Sequence, residues 1–550
     1  MRTLSGKRIS GGFFTFGRRS WSGRLLAAGL GIVLGCMPLS GAMGMKKEKA
    51  DICIYGATPA GITAACTAAQ EGKSVILIEP GGRIGGMTAG GLGWTDLYHP
   101  KEVLRGMARS FYRRVAAHYG KEGLMLTFEP KVALSIFQSF LKESHADRLI
   151  YHYRVVGVRK RGSAIRDIVL ENALSPQSER LRISARVFMD CSYEGDLMAR
   201  AGVSYTVGRE PNSLYGETIN GVQMLDKHQF PDSIDPYVVK GDPTSGLLWG
   251  ILPEPMGRRG EGDKHVQSYN LRLTLTNDPD NMIPVTLRKP DNYDPKRYEL
   301  LIRLKEKLPW KGIRDCMTFS PMPNHKCDMN NNGAFSTDMI GRSWDYPEAS
   351  YARRDSIFRE HLDYTLGLLY FLWTDERIPE KIRAEFATWG WPKDEYPESN
   401  HITPQLYVRE SRRMIGRLVM TEDYCLKKTI AGDTIGMADY TMDSHNCGRY
   451  VVGGMVKNEG DVQRHIRDPY PVSYRAVTPR REEASNLIVP VCLSASHAAY
   501  GSIRMEPVYM LLGETCGLAA CEAIDHCKGC VQDVDAHKVM RRMDKRDARE

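Results

Sequence analysis

The sequence predicts an α/β protein with a parallel sheet. Three observations predict this fold class. The first is a strand, glycine turn, helix and strand in residues 51–79. The second is a set of short strand-like runs between residues 149 and 189. The third is a buried strand followed by a long apolar helix near the C-terminus.

Length and composition bound the class of protein before any motif is considered. The chain has 550 residues, 42% hydrophobic and 26% charged, which is typical of a soluble globular protein with two to four domains. The net charge is +9, but the first 44 residues carry six basic residues and no acidic one. The remainder has no basic stripe with interleaved aromatic residues, so we expect no nucleic-acid partner.

The first 44 residues have the pattern of an export signal. Basic residues precede the apolar run Leu25–Leu34, which is short for a membrane span. Arg18-Arg19 is similar to a twin-arginine signal, and Val33–Cys36 is similar to a lipoprotein box that would leave a lipid anchor on Cys36. We therefore expect a periplasmic or secreted protein. The alternative is a cytoplasmic protein that starts at Met45.

The thirteen cysteines form an odd and scattered set. Cys527 and Cys530 are compatible with a metal half-site, a redox pair or a local disulfide. Cys516 and Cys521 fall within an apolar, helix-like stretch, and no second closely spaced pair completes a zinc site. We therefore expect no metal.

The segment that opens the fold reads as a βαβ unit. Asp51–Tyr55 is a short apolar strand, residues 56–61 form a glycine-containing turn, and Ile62–Gln70 is an alanine-rich helix. A second strand, Ser74–Ile78, ends at Glu79. An acidic residue about 20 positions beyond the turn is what a dinucleotide-binding unit requires.

Each residue of this unit has a physical role in holding a dinucleotide. Gly56 permits the tight turn, and Gly61 allows the helix to pack closely on the sheet. Thr58 stands where the second glycine of the fingerprint would lie, and with Ala60 it is placed at the pyrophosphate, beside the helix N-terminus. Glu79 is expected to accept hydrogen bonds from the ribose hydroxyls.

The glycine-rich stretch 80–93 decides which dinucleotide is expected. It is too apolar for a solvated loop, since it contains Ile84, Met87 and Leu92. A nicotinamide enzyme does not need such a stretch, whereas the long body of FAD must pass close to backbone. We therefore predict FAD as the cofactor, held by this stretch through residues that include Arg83, Gly85, Gly86 and Met87.

Five segments spread over nearly the whole chain after residue 50 carry a family resemblance: Ile84–Asp96, Phe128–Pro130, Asp190–Leu197, Tyr407–Arg413 and Ser496–Pro507. On these residues the chain resembles the FAD-dependent oxidoreductases of the glutathione-reductase-like flavoprotein superfamily. More narrowly, it resembles a bacterial family whose members sometimes carry the label xanthan lyase.

The resemblance implies a bipartite Rossmann-like FAD-binding domain. Its parts are residues 50–210 and 480–530, around a large inserted α+β substrate domain at 211–479. A C-terminal tail follows at 531–550, and its charged residues Arg541 to Glu550 are expected to be a solvated helix end. Three strand-like runs are expected to form the meander: Leu149–Val158, Ala164–Leu170 and Arg182–Met189.

The same resemblance places further residues at the cofactor. The backbone around Val156 is expected to hold the adenine. Asp190 is expected to return to the cofactor, or alternatively to cap a helix in the stretch 194–201. After a last strand, Asn486–Val491, and a loop at 494–501, the apolar helix Met505–His526 is expected to direct its N-terminus at the flavin.

Two histidines are candidates for a catalytic base beside the flavin. His497 lies in the expected loop before that helix, where a capping or phosphate-loop role is the alternative. His445 lies in Met442–Asn446, where an acid, a hydroxyl and an amide surround the imidazole; the alternative is a polar loop satisfied by its own backbone.

Other polar clusters point to a substrate. Residues 324–332 are dense in Asn and Asp, typical of hydroxyl recognition or of turns. Arg409, Arg412 and Arg413 stand at helical spacing, and Arg413 is the candidate for gripping a substrate carboxylate or the flavin; an exposed salt-bridged face is the alternative. Arg504 lies at the start of the apolar helix and needs an anionic or carbonyl partner, which is flavin or substrate.

The predicted function is FAD-dependent hydride transfer with a small, polar, hydroxylated and carbohydrate-like molecule. The sequence has no second glycine-rich turn for NAD(P)H and no CxxC near residues 85–95, so we expect the substrate to reduce the flavin; the electron acceptor is unknown. The alternatives are a flavin dehydrogenase or reductase acting on a carboxylic acid, a polysaccharide lyase as the family label indicates, and a non-catalytic carbohydrate-binding protein with a structural flavin.

Overall fold

Strands from both ends of the chain meet in one parallel sheet in this computed structural model. The structure describes residues 45–146, 148–285 and 288–548. Arg18-Arg19, Leu25–Leu34 and Cys36 lie outside the described residues, so export and the lipid anchor stay predictions. None of the helices in the described ranges is long and apolar enough to cross a membrane.

The N-terminal elements come first in chain order. They are β1 (Met45–Lys49), β2 (Ile52–Tyr55), α1 (Pro59–Gln70), β3 (Val75–Glu79), α2 (Gly86–Ala89), α3 (Pro100–Val103), α4 (Gly106–His118), α5 (Pro130–Glu143), β4 (Leu149–Tyr151), β5 (Tyr153–Arg161), β6 (Ala164–Asn172), β7 (Arg180–Ser184), β8 (Val187–Asp190), α6 (Asp196–Arg200) and β9 (Tyr205–Thr206).

The middle and C-terminal elements follow. They are α7 (Asn212–Tyr215), β10 (Leu273–Thr276), β11 (Met282–Pro284), α8 (Glu299–Lys307), β12 (Met317–Met322), β13 (Lys326–Asn331), α9 (Tyr351–Thr374), α10 (Glu380–Phe386), β14 (Gly390–Pro392), β15 (Arg413–Met414), α11 (Glu422–Cys425), β16 (Thr434–Ala438), β17 (Met442–Ser444), β18 (Gly448–Val452), β19 (Met455–Glu459), β20 (Val462–Arg464), β21 (Tyr470–Ser473), β22 (Leu487–Ile488), α12 (His497–Ile503), α13 (Glu506–His526) and α14 (Ala536–Asp547).

The central sheet has the strand order β22-β8-β2-β3-β4, and all its strands are parallel. β2 and β8 are fully buried and read as unbroken apolar runs, as strands covered on both faces do. The helix α13 packs on α1, and a Cβ added at Gly513 would lie 2.2 Å from the carbonyl oxygen of Ala60. The C-terminal part of the chain therefore completes the same domain as the N-terminal part.

A four-stranded sheet of order β1-β7-β6-β5 forms the expected meander. The predicted single strand Arg182–Met189 is wrong, because the chain leaves this sheet after Ser184 and enters the parallel sheet at Val187. The amides of Arg186 and Val187 both donate to the carbonyl of Asp51, which fixes that change of sheet. The run from Leu149 likewise breaks at His152, which has a φ of +59°.

The middle of the chain is built around a second, five-stranded sheet and the helix α9. This sheet has the order β11-β14-β10-β13-β12, and β10, β13 and β12 pair antiparallel. The remaining strands form short two-stranded ladders, among them β17 with β20 and β18 with β19. The mixture of one parallel sheet and several antiparallel ones confirms the predicted fold class, while the domain boundaries stay predictions.

Three local predictions from the sequence are wrong. Residues 497–501 of the expected loop belong to the helix α12, because the Ser496 hydroxyl accepts the amide of Ala499 as an N-cap. The arginines at 409–413 are not helical, since Arg413 opens β15 and pairs with Thr206. The charged tail is not simply solvated: α14 buries Met543, and its Arg546 lies 3.3 Å from Glu71.

Candidate active site

The glycine turn after β2 is closed by contacts with the end of β8. Gly56 has a φ of +98°, and a Cβ there would lie 2.6 Å from the amide nitrogen of Ser192. Thr58 is the N-cap of α1: its hydroxyl accepts the amide of Gly61 at 3.4 Å and donates to the carbonyl of Cys191 at 2.7 Å. The side chain that replaces the second glycine is thus turned toward the neighbouring strand, and Pro59, Ala60 and Gly61 form the first turn of the helix.

Glu79, the last residue of β3, ties this turn to the next loop. Its two carboxylate oxygens accept the amides of Ala57 at 3.1 Å and Gly81 at 2.7 Å. Burial raises the pKa of Glu79 to about 7. Each oxygen has a second lone pair available, so the carboxylate fits the ribose hydroxyls of a dinucleotide.

A cavity of about 530 Å³, here called the outer cavity, lies beside the end of β2. Gly81, after β3, and Arg154, in β5, line it on one side, and Tyr351 and Arg354 line it from α9. Next to Val156, the carbonyl of Val155 already accepts a 2.7 Å hydrogen bond from the Tyr351 hydroxyl. The helix α9, which belongs to the middle of the chain, therefore covers the region where the adenine is expected.

The carboxylate of Asp190 is hydrogen-bonded to the turn and helix that follow it in the chain. One carboxylate oxygen accepts the amide and hydroxyl of Ser192, and the other accepts the amide of Met198 at 2.8 Å. Asp190 is fully buried, and burial raises its pKa to about 6. These contacts give the helix-capping alternative its support, because the carboxylate is used by the turn that leads into α6.

The segment after β3 runs closely against Tyr193. Gly85 and Gly86 have φ values of +90° and +48°, and a Cβ at Gly86 would lie 2.2 Å from the Tyr193 hydroxyl oxygen. That hydroxyl accepts the amide of Met87 at 2.9 Å. The Arg83 guanidinium forms an ion pair with Glu398, a residue from the middle of the chain, at 2.6 Å.

A much smaller, narrow cavity of about 20 Å³, here called the inner cavity, lies at the start of α13. Its lining is largely apolar and includes Leu92, Tyr112, Phe128 and Pro507. Glu506 joins it at the N-terminus of the helix and accepts the hydroxyls of Thr88 and Tyr193, each at 2.8 Å. Burial raises the pKa of Glu506 to about 7.

A third cavity of about 370 Å³, here called the polar cavity, adjoins the inner one. Its lining includes Thr318, Ser320, Asn330, Asn331, Asn332, Asp443, His445 and Gln463. The two cavities share five lining residues, which define the junction: Trp94, Asp96, Tyr407, Arg504 and Met505. The structure thus brings together the Asn-rich cluster, His445 and Arg504, which are far apart in the sequence.

Two buried polar atoms at this site lack a hydrogen-bond partner among the described residues. They are Nε of Arg504 and Oδ1 of Asn331. The other nitrogens of Arg504 are used: Nη2 donates to Asp443 at 2.8 Å and Nη1 to the Tyr407 hydroxyl at 3.1 Å. An unused donor and an unused acceptor in one polar space fit a bound group with hydrogen-bonding capacity of both kinds.

His445 is held as a neutral imidazole. Its Nδ1 lies 2.7 Å from Oδ2 of Asp338, and its Nε2 lies 3.6 Å from Oδ2 of Asp443. Burial, followed by the nearby positive charge of Arg409, lowers its pKa. With Nδ1 protonated toward Asp338, Nε2 is left as an acceptor at the polar cavity.

His497 and Arg413 lie together in a buried ionic network. His497 is 2% exposed, and its Nδ1 lies 2.7 Å from Oε2 of Glu410. Arg413 is fully buried and donates to Glu410, Glu210 and the carbonyl of Ala495. Neither residue lines the outer, inner or polar cavity, so their catalytic roles stay predictions without support from position.

Asp96 is the residue that the sequence analysis passed over. It ends the segment Ile84–Asp96 and lines both the inner and the polar cavity. Burial is the largest influence on its pKa, which is raised to about 6. The available signal was an acid immediately after an apolar, glycine-rich run, next to Trp94.

The cysteines form no second site in the described ranges. Cys527 and Cys530 are both free thiols, which contradicts the local-disulfide alternative. Among the residues that the structure places, no group of three His, Cys, Asp or Glu side chains is arranged to hold a metal ion.

Comparison with known proteins gives a family match over most of the chain. A family model described as FAD dependent oxidoreductase matches residues 51–543. No curated protein matches the sequence.

Solved structures similar to this chain align over a minority of it. Anhydrotetracycline hydroxylase OxyS from Streptomyces rimosus is 12% identical over 33% of this chain and 36% of its own, with a TM-score of 0.24. THI4 from Thermovibrio ammonificans is 19% identical over 30% and 66%, with a TM-score of 0.23. L-proline dehydrogenase from P. horikoshii is 14% identical over 31% and 26%, with a TM-score of 0.18. The alignments cover less than two thirds of each of these three proteins.

Proposed function

The chain belongs to the FAD dependent oxidoreductase family, and we propose from this premise that it oxidises a small, polar, hydroxylated molecule of carbohydrate type. FAD is its cofactor, and when bound it supplies a hydride acceptor for a carbon that carries a hydroxyl group. The residues that would hold it are the first turn of α1, Glu79, the segment 85–87 and the lining of the inner cavity. The N-terminus of α1 suits a pyrophosphate, and the Glu79 carboxylate, with a free lone pair on each oxygen, suits ribose hydroxyls.

One observation carries the substrate proposal: Asn331 and Arg504 both line the polar cavity, and each keeps a buried side-chain atom, Oδ1 and Nε, without a hydrogen-bond partner among the described residues. A hydroxyl group both donates and accepts, so a molecule with several hydroxyls satisfies both atoms. Asn330, Asn332 and Ser320 add further groups of both kinds to the same lining. Trp94 is 44% exposed at the junction and offers a flat apolar face for a sugar ring.

The residues around the substrate have separable tasks. Arg504 orients a hydroxyl or carbonyl oxygen through Nε, while its pairing with Asp443 fixes the guanidinium. Nε2 of His445 accepts a second hydroxyl. These contacts hold the substrate in one orientation at the junction, which is where the two cavities share their lining.

Oxidation of a carboxylic acid is the weaker candidate. The arginine clamp that it needs is already used by carboxylates: Arg412 lies 2.9 Å from Asp196 and Arg413 lies 2.6 Å from Glu210. Neither lines the polar cavity. A polysaccharide lyase needs no redox cofactor, so family membership favours the oxidoreductase over it.

Anaerobic reduction of the bound flavin tests this proposal. The FAD-loaded protein is mixed with sugars, polyols, sugar acids, amines and simple hydroxy acids, and loss of the yellow flavin absorbance is recorded. We expect polyhydroxylated compounds to bleach the flavin, and Asn331→Ala to raise their dissociation constant about tenfold, through loss of one hydrogen bond. Asn292→Ala, the same change at an exposed asparagine, is the control. Bleaching by amines or simple hydroxy acids but by no sugar or polyol contradicts the substrate class.

We also propose that the protein is exported, on the pattern of basic residues before Leu25–Leu34. Mass spectrometry of the mature protein, purified from its own cells, tests this. A new N-terminus after about residue 42, or a lipid on Cys36, supports export, and an intact chain that begins at Met45 in the cytoplasm contradicts it.

A further inference from the structure

Asp96 lies at the junction, where the inner and polar cavities share their lining. Its four neighbours there are Trp94, Tyr407, Arg504 and Met505. An indole, a thioether and a guanidinium accept no proton at neutral pH, and a phenol already carries its proton there. Within the junction, the Asp96 carboxylate is therefore the group that is chemically able to take up a proton.

The backbone on both sides of Asp96 is firmly held. On one side, the amide of Thr95 donates to the carbonyl of Leu126, and the Thr95 hydroxyl donates to that of Tyr112 at 3.3 Å. On the other side, the amide of Tyr98 donates to Asp439 at 2.9 Å. The carboxylate is thus placed by two anchored neighbours, as a group that must meet a reacting atom requires.

Asp96 forms no ion pair with the two nearby arginines, Arg272 and Arg504. Arg272 is bound to Asp328 through two nitrogens, and Arg504 is bound to Asp443. No residue in the described ranges donates a hydrogen bond to the Asp96 carboxylate; its neighbours act on it through charge alone. The carboxylate is therefore free to accept a hydrogen bond from a ligand.

The charged and titratable groups that face Asp96 balance one another. Burial raises its pKa most, Arg272 and Arg504 lower it, and Asp443 and Asp328 raise it, which leaves it at about 6. Burial raises the pKa values of Tyr112 and Tyr440, and the negative charge of Asp96 raises them further. A carboxylate with this pKa is ionised at pH 7 and is a much better base than an ordinary aspartate.

We propose that Asp96 is the catalytic base that removes the hydroxyl proton of the substrate. The O–H bond of the alcohol breaks and its proton passes to a carboxylate oxygen of Asp96. The hydride of the same carbon leaves to FAD, the oxidant, and a carbonyl forms; the proton on Asp96 then passes to solvent. This inference rests on the proposed function, and it assigns the base to neither histidine: His497 lies outside the cavities, and His445 lines the polar cavity but not the inner one.

The first test needs no substrate. The visible spectrum of the full-length, FAD-loaded protein is recorded between pH 5 and 8. We expect a spectral transition with a midpoint near pH 6, because the charge of Asp96 changes beside the flavin, and we expect Asp96→Asn to abolish it. Asp468→Asn, the same change at an exposed aspartate, is expected to keep the transition. Glu506→Gln is expected to remove any transition near pH 7 that arises from Glu506, and so distinguishes it from the transition of Asp96. Persistence of the pH 6 transition in Asp96→Asn overturns the proposal.

The second test uses whichever sugar or polyol bleaches the wild-type flavin. Stopped-flow reduction is expected to slow at least about 100-fold in Asp96→Asn, with the dissociation constant of the compound little changed. The wild-type rate is expected to rise with pH through about 6, and the rate of the variant to be independent of pH. Formate is expected to restore reduction in Asp96→Ala, which a merely structural residue does not allow.

The outcomes separate the two proposals. Rapid, pH-dependent reduction in Asp96→Asn overturns the role of Asp96 and leaves the proposed function intact. Failure of every sugar and polyol to bleach the wild-type flavin contradicts the proposed substrate class, and the spectral titration then decides the place of Asp96 by itself.

Discussion

Arg504 and Asp443 join two parts of the chain at the junction of two cavities: Nη2 of the arginine donates to Oδ2 of the aspartate at 2.8 Å. Arg504 is the C-cap of α12 and lies two residues before the long helix α13, and Asp443 lies in the short strand β17. The pair leaves Nε of the guanidinium without a partner among the residues that the structure describes. A positive charge is thereby held at the N-terminal end of a 21-residue helix, facing both the inner and the polar cavity.

Removal of that charge is expected to lower the midpoint potential of the bound FAD. A cation beside the inner cavity stabilises the negatively charged reduced flavin, so Arg504→Met is expected to lower the potential by about 30 mV or more, equivalent to ~1.4 kcal/mol for two electrons. Arg504→Lys keeps a charge and is expected to show a smaller change. Redox titration with reference dyes measures it, and Arg467→Met, at an exposed arginine, is the control. An unchanged potential in Arg504→Met contradicts this placement.

Crowding at Gly56 is expected to make its substitution far more costly than that of another left-handed glycine. Gly56 has a φ of +98° and a neighbour 2.6 Å from the position of a Cβ, whereas Gly72 has a φ of +77° and open space. Gly56→Ala is expected to abolish FAD binding, because the turn against Ser192 must move. Gly72→Ala is expected to keep its FAD and to cost only ~1 kcal/mol of backbone strain. Flavin-to-protein ratio and thermal unfolding measure both, and equal effects would contradict the role given to this turn.

The Glu410 carboxylate is expected to be a structural group. It is fully buried, lies 2.7 Å from His497 and 2.8 Å from Arg413, and the positive partners hold its pKa at about 2 although burial opposes this. Glu410→Gln removes one of the two carboxylates bound to the fully buried Arg413, which keeps only Glu210, so it is expected to lower the free energy of unfolding by ~3 kcal/mol at pH 7.

The pH dependence of that loss follows from the direction of the shift. The native pKa of Glu410 lies below its ordinary value of 4.5, so its stabilising contribution is present above pH 4.5 and disappears as the pH falls through about 2. The difference between Glu410→Gln and wild type is expected to shrink over that range in denaturant unfolding. His497→Asn is expected to lose stability but to keep the rate of flavin reduction within a few fold. A loss of 100-fold or more would instead make His497 catalytic.

His445 is expected to bind substrate without setting the pH dependence of its oxidation. Its pKa is lowered by burial, so the imidazole stays neutral from pH 8 down to below its ordinary value of 6.5, and Nε2 remains an acceptor. His445→Phe is expected to weaken binding of the bleaching compound about tenfold, through loss of one hydrogen bond, and to leave the midpoint of the rate profile near pH 6. Disappearance of that profile in His445→Phe would transfer the role of base from Asp96 to His445.

The parts of the fold that the sequence predicted are those in which local pattern and tertiary contact agree. Ile52–Tyr55 and residues 75–78 are apolar runs beside a glycine turn, and the helix α13 is largely apolar and buried, so their positions were predicted to within a few residues. The split between β7 and β8 was missed, because two amides that bond to Asp51 decide it. Residue types alone do not reveal such a contact.

The site was predicted less completely for the same reason. Asn331, His445 and Arg504 were recognised by type, but their convergence on one cavity depends on the packing of β13, β17 and the start of α13. His497 and Arg413 have the right chemistry, yet the fold uses them in a buried ionic network. Asp96 was not singled out, since one acid after a glycine-rich run has no local pattern that distinguishes it from a surface residue.

The most direct test of the account is the anaerobic spectrum of the full-length protein after incubation with FAD. We predict a yellow protein with about one flavin per chain, as one dinucleotide site requires, and loss of its colour on addition of a sugar or polyol. A protein that stays colourless with excess FAD contradicts the central claim that this chain binds FAD for the oxidation of a hydroxylated substrate.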